Sequence, residues 1–270
     1  MMFKVDDLDE TRAPLLDHLI ELRTRVIRAL LALGVGFAVC LYFADAILGI
    51  LIQPLKDAFP EGQGQLIFTK LPEVFFVELK VALFAGFMVS FPVIANQLWA
   101  FVAPGLYARE KKAFLPFLFA TPVLFAAGAS LAYFVVMPVA FTFFLGFGGL
   151  TGGMNVQALP SAGDYLSLVM QFILAFGLTF LLPVLLLLLH RAGIVSRAQM
   201  VAARRYVIVV IFVIAAIVTP PDPGSQIVLA VPLWLLFEAS LLLMRFQEKA
   251  VAADKAAREA ELAAEKAAAE

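Results

Sequence analysis

Residues 164–190 read DYLSLVMQFILAFGLTFLLPVLLLLLH, and after Asp164 this stretch has no acid, lysine or arginine. About 20 apolar residues cross the hydrocarbon core of a bilayer, so the stretch predicts a transmembrane helix. The whole chain has the same character, because 63% of its 270 residues are hydrophobic, 15% are charged and the mean hydropathy is +0.95. A soluble core of this size could not bury so much apolar surface. We therefore expect an all-α polytopic membrane protein.

Six apolar runs predict six transmembrane helices. They lie near residues 26–46, 74–101, 113–145, 164–190, 206–219 and 225–244. The third run contains Pro116, Pro122 and Pro138, each of which removes a backbone donor, so a kinked helix is expected. The fifth and sixth runs are short, which predicts local bilayer thinning or cover from neighbouring helices.

The distribution of basic residues predicts the orientation. With both termini in the cytoplasm, 17 of the 20 Lys and Arg residues lie on the cytoplasmic side, and only Lys56, Lys70 and Lys80 lie on or near the other. Cytoplasmic loops carry such an excess, so an even number of spans with both ends inside is expected.

The remaining segments complete the predicted organisation. Residues 1–246 form one membrane domain, and residues 247–270 form an Ala/Glu/Lys-rich cytoplasmic tail, either a solvated helix or disordered. Of the outer loops, residues 47–73 predict short amphipathic helices over the bundle, and residues 146–163 a flexible connection. Residues 220–224 predict a tight turn.

Composition and motifs argue against several other functions. The single Cys40 cannot form an intrachain disulfide, and His18 and His190 lack the spacing of metal ligands. No nucleophile elbow or phosphate-binding loop occurs, so no enzyme activity, cofactor or metal is predicted. The net charge of −1 implies no attraction to nucleic acid. No cleavable signal peptide is evident, because a charged stretch precedes the first apolar run.

A helix leading into the first span carries the first candidate site. Leu15, Leu19, Leu22 and Val26 recur at helical spacing and predict an amphipathic helix on the cytoplasmic surface. In this helix Glu21 and Arg25 stand four residues apart, so they form either an ordinary intrahelical ion pair or part of a binding site. Arg23 points to the other side.

The first cytoplasmic loop carries a second carboxylate. Pro104-Gly105 turns the chain, and Glu110 then falls in the first turn of the third span, where the helix dipole stabilises an acid. Alternatively, Glu21 and Glu110 provide two carboxylates at one membrane surface, each able to accept a bidentate guanidinium. Such a pair would suit a ligand that contains two arginines.

Three further polar residues stand near or within the fourth and sixth spans. Asp222, in Thr219-Pro220-Pro221-Asp222, either shapes a turn or caps the sixth helix. Glu238 lies within the sixth span, where an unpaired charge is costly, so it should face protein or a wet cavity, or be protonated. Gln171 in the fourth span is a milder case.

Several motifs, in this order on six spans, resemble the TatC family, the multispanning subunit of the twin-arginine protein translocase, over about residues 14–246. The motifs are His18-Leu19-Ile20-Glu21-Leu22-Arg23, Pro54, Phe101-Val102-Ala103-Pro104-Gly105-Leu106-Tyr107 followed by Glu110, Tyr133-Phe134 before Pro138, and Thr219-Pro220-Pro221-Asp222 followed by Gln226.

The resemblance implies a core component of the translocase in the bacterial inner membrane. Such a protein binds twin-arginine signal peptides of folded cargo at the cytoplasmic face and assembles the translocase for export driven by the proton-motive force. Its partners are the single-span TatA and TatB, and it forms a concave, glove-like bundle that assembles into larger oligomeric complexes. By similarity, Glu21 and Glu110 hold the signal's arginines, and Arg23 and Phe101 shape that surface. Pro54, Tyr107, Asp222 and Gln226 have structural or functional roles.

One position departs from the family pattern, and two other functions compete. Many family members have a polar residue two positions before a proline in the fourth span, where this chain has Leu181 before Pro183. The competing functions are a secondary transporter and a scaffold of another membrane complex. A transporter would place charges near the midplane of several helices, and only Glu238 fits; a scaffold would not need acids at the cytoplasmic rim.

Overall fold

The structure, a computed structural model, describes residues 6–59, 64–106, 111–146, 148–151, 154–156, 159–191, 193–218 and 223–269. These residues are helical apart from loops and one two-stranded hairpin, which confirms the all-α class. The elements are α1 (Asp6–Tyr42), α2 (Ala44–Ala58), α3 (Glu73–Leu106), α4 (Lys111–Leu131), a π-helix (Ala132–Val136), α5 (Met137–Leu145), β1 (Gly149–Thr151), β2 (Met154–Val156), α6 (Ala162–Thr179), α7 (Leu182–Arg191), α8 (Arg197–Ala202), α9 (Arg204–Val218) and α10 (Pro223–Ala269). The chain divides into two compact units, Met1–Gly177 and Leu178–Glu270.

Five helical stretches in the described part of the chain are long and apolar enough to cross a membrane. They are His18–Tyr42, Glu73–Phe101, Phe117–Leu145, Ala162–Arg191 and Gln226–Phe246. The predicted span at 206–219 falls on α9, whose 15 residues extend only about 22 Å at 1.5 Å per residue. The six-span count therefore stays a prediction, as does the division into a domain of residues 1–246 and a tail.

The prediction of a short sixth helix is wrong. Its apolar part, Gln226–Phe246, contains 21 residues, and α10 continues to Ala269 for a total of 47. The reason is that no Gly or Pro follows Pro232, while the Ala/Glu/Lys-rich segment has high helix propensity. The tail is therefore a continuation of the last apolar helix.

The third apolar run is irregular before Pro138, as its prolines predict. Residues Ala132–Val136 form a π-helix, and the N–H of Met137 donates to the carbonyl of Ala132 five residues earlier. The proline at the second position of α5 has no N–H for the usual helical bond. A wider turn accommodates this loss, as at many π-bulges.

Two glycines permit a close crossing of α1 and α3. A Cβ atom at Gly36 would lie 2.8 Å from the carbonyl oxygen of Gly86, and one at Gly86 would lie 2.6 Å from the nitrogen of Phe37. Ser90 of α3 donates its hydroxyl proton to the carbonyl of Ala32 on α1 at 2.7 Å. Small residues and an interhelical hydrogen bond are the means by which helices associate in lipid.

The outer-loop predictions have mixed outcomes. The segment 47–73 contains the predicted helix, α2, which packs against α3 and α5. The segment 146–163, predicted as a flexible connection, contains an antiparallel hairpin of β1 and β2, in which Leu150 pairs with Asn155. The predicted turn at 220–224 lies largely outside the described residues.

Candidate functional site

A polar cluster forms where residues 18–25 of α1 meet the C-terminal part of α3. The ring of His18 stacks on the ring of Phe101, with centroids 4.2 Å apart and planes 13° apart. Glu21 and Arg25 lie one and two turns further along the same helix as His18. We call His18, Glu21, Arg25 and Phe101 the carboxylate site.

Within this site Arg25 engages one carboxylate oxygen of Glu21. Its Nε lies 3.0 Å from Oε1, and its Nη2 donates to the same atom. The other oxygen, Oε2, lies 3.8 Å from Nδ1 of His18, beyond hydrogen-bonding distance. The Glu21 side chain is 34% exposed. The predicted intrahelical pair is therefore present, and the carboxylate is partly exposed.

The other predicted residues of this surface have different outcomes. Arg23 is exposed and is not part of the Glu21–Arg25 pair. Glu110 and Tyr107 lie outside the described residues, and so does Asp222. The pairing of Glu21 with Glu110 therefore stays a prediction.

Pro54 lies inside α2, close to the point where two tyrosines donate hydrogen bonds to the helix backbone. Proline has no N–H, so the carbonyl of Ile50, four residues earlier, lacks its helical donor. The hydroxyl of Tyr133 donates to that oxygen at 2.6 Å. The hydroxyl of the buried Tyr165 donates to the next carbonyl, that of Leu51, at 2.7 Å. These bonds connect α2 to the π-helix and to α6, so Pro54 marks a point of tertiary attachment.

Sequence reasoning missed Glu73, the first residue of α3. Its Oε2 accepts hydrogen bonds from Oγ1 and N of Thr69 and from N of Lys70, at 2.9, 2.7 and 3.1 Å. Its Oε1 accepts from Oγ of Ser161 at 2.7 Å and from N of Gly163 at 3.0 Å. The carboxylate thus joins the N-terminal ends of α3 and α6. An acid at the start of an apolar run was the available sequence signal, but its partners on the α6 side, Ser161 and Gly163, are 88 and 90 residues away.

The segment before Glu73 strengthens the same junction. The N–H of Ile67 donates to the carbonyl of Pro160 at 3.2 Å, and the N–H of Ala162 donates to the carbonyl of Ile67 at 3.0 Å. These two backbone bonds and the Glu73 bonds hold the starts of α3 and α6 at one level.

In the second unit, two polar residues of α10 contact α9. The Nε2 of Gln226 donates to the carbonyl of Phe212 at 3.1 Å. Oε2 of Glu238 accepts a hydrogen bond from Nη2 of Arg204 at 2.8 Å. The intramembrane acid thus has a basic partner, as the cost of an unpaired charge in lipid demands.

Two residues that the sequence left without a role have identifiable surroundings. Nδ1 of His190 lies 3.1 Å from the carbonyl oxygen of Val195, and its Nε2 lies 3.6 Å from Glu248 of α10, which also approaches Arg197 at 3.7 Å. Gln171 is exposed on α6 and lines a groove that α3 also borders.

These features define a polytopic helical membrane protein with a half-exposed carboxylate site at one end of its first helices. Comparison with known proteins identifies the family. Residues 17–232 match the family described as TatC, Sec-independent protein translocase protein. The chain belongs to this family of protein transport components.

The relatives match over most of their length. The Sec-independent protein translocase protein TatC of Magnetococcus marinus is 49% identical over 256 residues, which cover 95% of this chain and 93% of the relative. The protein of the same name from Escherichia coli is 38% identical over 237 residues, with 88% and 90% covered. A crystal structure of the twin-arginine translocase receptor TatC in DDM superimposes with a TM-score of 0.74 at 40% identity, covering 84% of this chain and 98% of that one.

Proposed function

We propose that this chain is the receptor subunit of a twin-arginine translocase in the bacterial inner membrane, where it binds the signal peptides of folded cargo. The observation that carries the proposal is the half-exposed Glu21 carboxylate, in a chain 40% identical to a solved twin-arginine translocase receptor. A half-exposed carboxylate is a suitable acceptor for a planar guanidinium.

Arg25 already holds Glu21 in the manner proposed for an arginine of the signal. Its two nitrogens occupy Oε1, and among the described residues no hydrogen bond reaches Oε2, which lies 3.8 Å from Nδ1 of His18. A signal arginine therefore either adds to Oε2 or replaces Arg25. In both cases Glu110 takes the second arginine of the signal.

His18 and Phe101 position Glu21 for this binding. Their stacked rings, with centroids 4.2 Å apart, connect α1 to the C-terminal part of α3. Glu21 stands three residues after His18, so the stacking fixes the helical face on which its carboxylate projects. Arg23 contributes an exposed positive charge beside the site.

The topology and the partners belong to the same proposal. Six spans place both termini in the cytoplasm, because 17 of the 20 basic residues then lie inside. TatA-like and TatB-like single-span subunits associate with the chain in the membrane, and several copies form the larger complex. Pro54, Tyr107, Asp222 and Gln226 maintain the surfaces for this assembly, which performs no enzymatic reaction.

The transporter alternative loses its main support in the structure. Glu238 was the one intramembrane acid that suited it, and this carboxylate is paired with Arg204 at 2.8 Å. An acid that is paired with an arginine is better suited to holding α9 against α10 than to binding a transported ion or proton.

The test is the affinity of the purified full-length protein for a twin-arginine signal peptide and for the same peptide with Lys-Lys. We expect the Lys-Lys peptide to bind much more weakly, because lysine cannot reproduce the two-pronged guanidinium contact. Glu21→Gln and Glu110→Gln should each weaken Arg-Arg binding by at least about tenfold. The matched control is Asp45→Asn, an exposed acid in the first turn of α2. Equal affinity for both peptides, or unaltered binding by both glutamate variants, would contradict the proposal.

A further inference from the structure

A groove runs between α3 and α6 within the first unit, with a volume of about 710 Å³. That volume is in the range of small-molecule sites. Its polar lining residues are Lys80, Ser167 and Gln171, and its apolar lining includes Phe84, Phe87 and Leu174. The groove is far along the chain from the carboxylate site and has no part in the function proposed above.

Glu73 allows the depths of these residues to be compared. Because its carboxylate bonds to Ser161 and Gly163, α3 and α6 start at one level. At 1.5 Å per residue, Ser167, Lys80 and Gln171 lie about 8, 10 and 14 Å from the start of their helices. Phe84, Leu174 and Phe87 follow at about 16, 18 and 21 Å. The groove is therefore mostly polar near the helix ends, where Met170 is the apolar exception, and apolar further in.

The position of Lys80 relative to the bilayer follows from the length of the span. The stretch Glu73–Phe101 has 29 residues and a length of about 43 Å, whereas the hydrocarbon core is about 30 Å thick. If the excess is shared between both ends, Lys80 lies only about 4 Å inside the hydrocarbon boundary. A lysine stem extends that far, so the ammonium group reaches the phosphate level. Lys80 is exposed and forms no ion pair with an acid in the described part of the chain.

From this arrangement we propose that the groove binds one phospholipid with an anionic headgroup. Lys80 contacts the phosphate, and one acyl chain lies against Phe84, Phe87 and Leu174. The order of a cation followed by an apolar surface along the groove matches the order of groups along an anionic phospholipid. A partner's transmembrane helix would instead need an acid at the level of Lys80. The change from polar to apolar lining along the groove would not favour its binding.

The experiment counts lipids bound to the full-length protein in detergent by native mass spectrometry. The probes are dioleoyl phosphatidylglycerol, dioleoyl phosphatidylcholine and dioleoylglycerol, which differ in net charge and in the presence of phosphate. We expect phosphatidylglycerol to bind best and dioleoylglycerol worst. Lys80→Gln should lower the affinity for phosphatidylglycerol about fivefold, whereas Lys70→Gln, an exposed lysine outside the groove, should not alter it.

A second variant separates loss of charge from loss of space. Leu174→Trp fills the apolar part of the groove, so it should reduce lipid occupancy with Lys80 intact. Circular dichroism and thermal unfolding verify that each variant is folded. Equal binding of the three lipids, or unaltered binding by both groove variants, would overturn the proposal. So would a photoreactive residue at Leu83 that crosslinks in native membranes to a protein of discrete mass instead of to lipid.

Discussion

The hydroxyl of Tyr133 donates to the carbonyl oxygen of Ile50 at 2.6 Å, and that oxygen has no helical donor because Pro54 stands four residues later. A side chain from the π-helix thus supplies the hydrogen bond that a proline removes from α2. The π-helix and the proline are parts of one attachment between two segments 83 residues apart.

This relationship predicts coupling between Tyr133 and Pro54. Tyr133→Phe should destabilise the protein by about 0.5–1.5 kcal/mol, because the Ile50 carbonyl loses its donor. In a Pro54→Ala background the same change should cost less, since the new N–H can bond to Ile50. Thermal unfolding of the two single variants and the double variant measures the coupling, and Tyr42→Phe, at an exposed tyrosine, is the control. Strictly additive losses would show that the two residues act independently.

The α1–α3 crossing predicts that two glycines of one helix respond differently to the same substitution. Gly36→Ala places a methyl group 2.8 Å from the Gly86 carbonyl oxygen and should cost about 1–3 kcal/mol. Gly34 has nothing within 4 Å of an added Cβ, so Gly34→Ala should be neutral or slightly stabilising. Unfolding midpoints of the two variants compare them directly. If Gly36→Ala were as stable as Gly34→Ala, the close approach of the two helices would be wrong.

The hydrogen bonds of Glu73 predict that replacing one of its carboxylate oxygens with an amide nitrogen destabilises the junction between α3 and α6. Glu73→Gln keeps the shape but turns an amide NH₂ toward groups that are themselves donors, so part of the network is lost. We expect the unfolding midpoint to fall by several degrees and the segment between α2 and α3 to become more sensitive to protease. Asp164→Asn, an exposed acid in the first turn of α6, should have little effect. Equal behaviour of the two variants would assign the junction to the backbone bonds of Ile67 alone.

The arrangement at Glu21 predicts that Arg25 competes with the ligand. Arg25→Gln should bind a twin-arginine signal peptide several-fold more tightly, because Oε1 of Glu21 is then unoccupied. Arg28→Gln, at the next basic residue of α1, is the control. Peptide titration of the folded variants decides the point. A loss of affinity in Arg25→Gln would mean that Arg25 orients Glu21 and does not compete for it.

Sequence reasoning predicted the features that depend on local composition. The apolar runs, the helix of α2 and the irregularity before Pro138 all follow from hydrophobicity or from the chemistry of proline. The Glu21–Arg25 pair follows from helical spacing alone. Glu238 faces protein through its contact with Arg204, which is one of the three alternatives that the cost of burying a charge left open.

The missed features depend on contacts between distant segments. Nothing near Glu73 in the sequence indicates Ser161 and Gly163, and nothing near Tyr133 indicates the Ile50 carbonyl. The continuity of α10 was left open for a different reason, because the loss of hydrophobicity after Phe246 is compatible with either a solvated helix or a disordered tail. Hydrophobicity limits the membrane-embedded part, whereas only Gly, Pro or a cap would end the helix itself.

The uninterrupted α10 has a mechanical consequence. Its 23 residues beyond Phe246 form a rod about 35 Å long, whose direction in water is that of the membrane-embedded segment. A tilt of about 10° in the bilayer moves the far end by about 6 Å, so the rod acts as a lever that enlarges small reorientations of the last span.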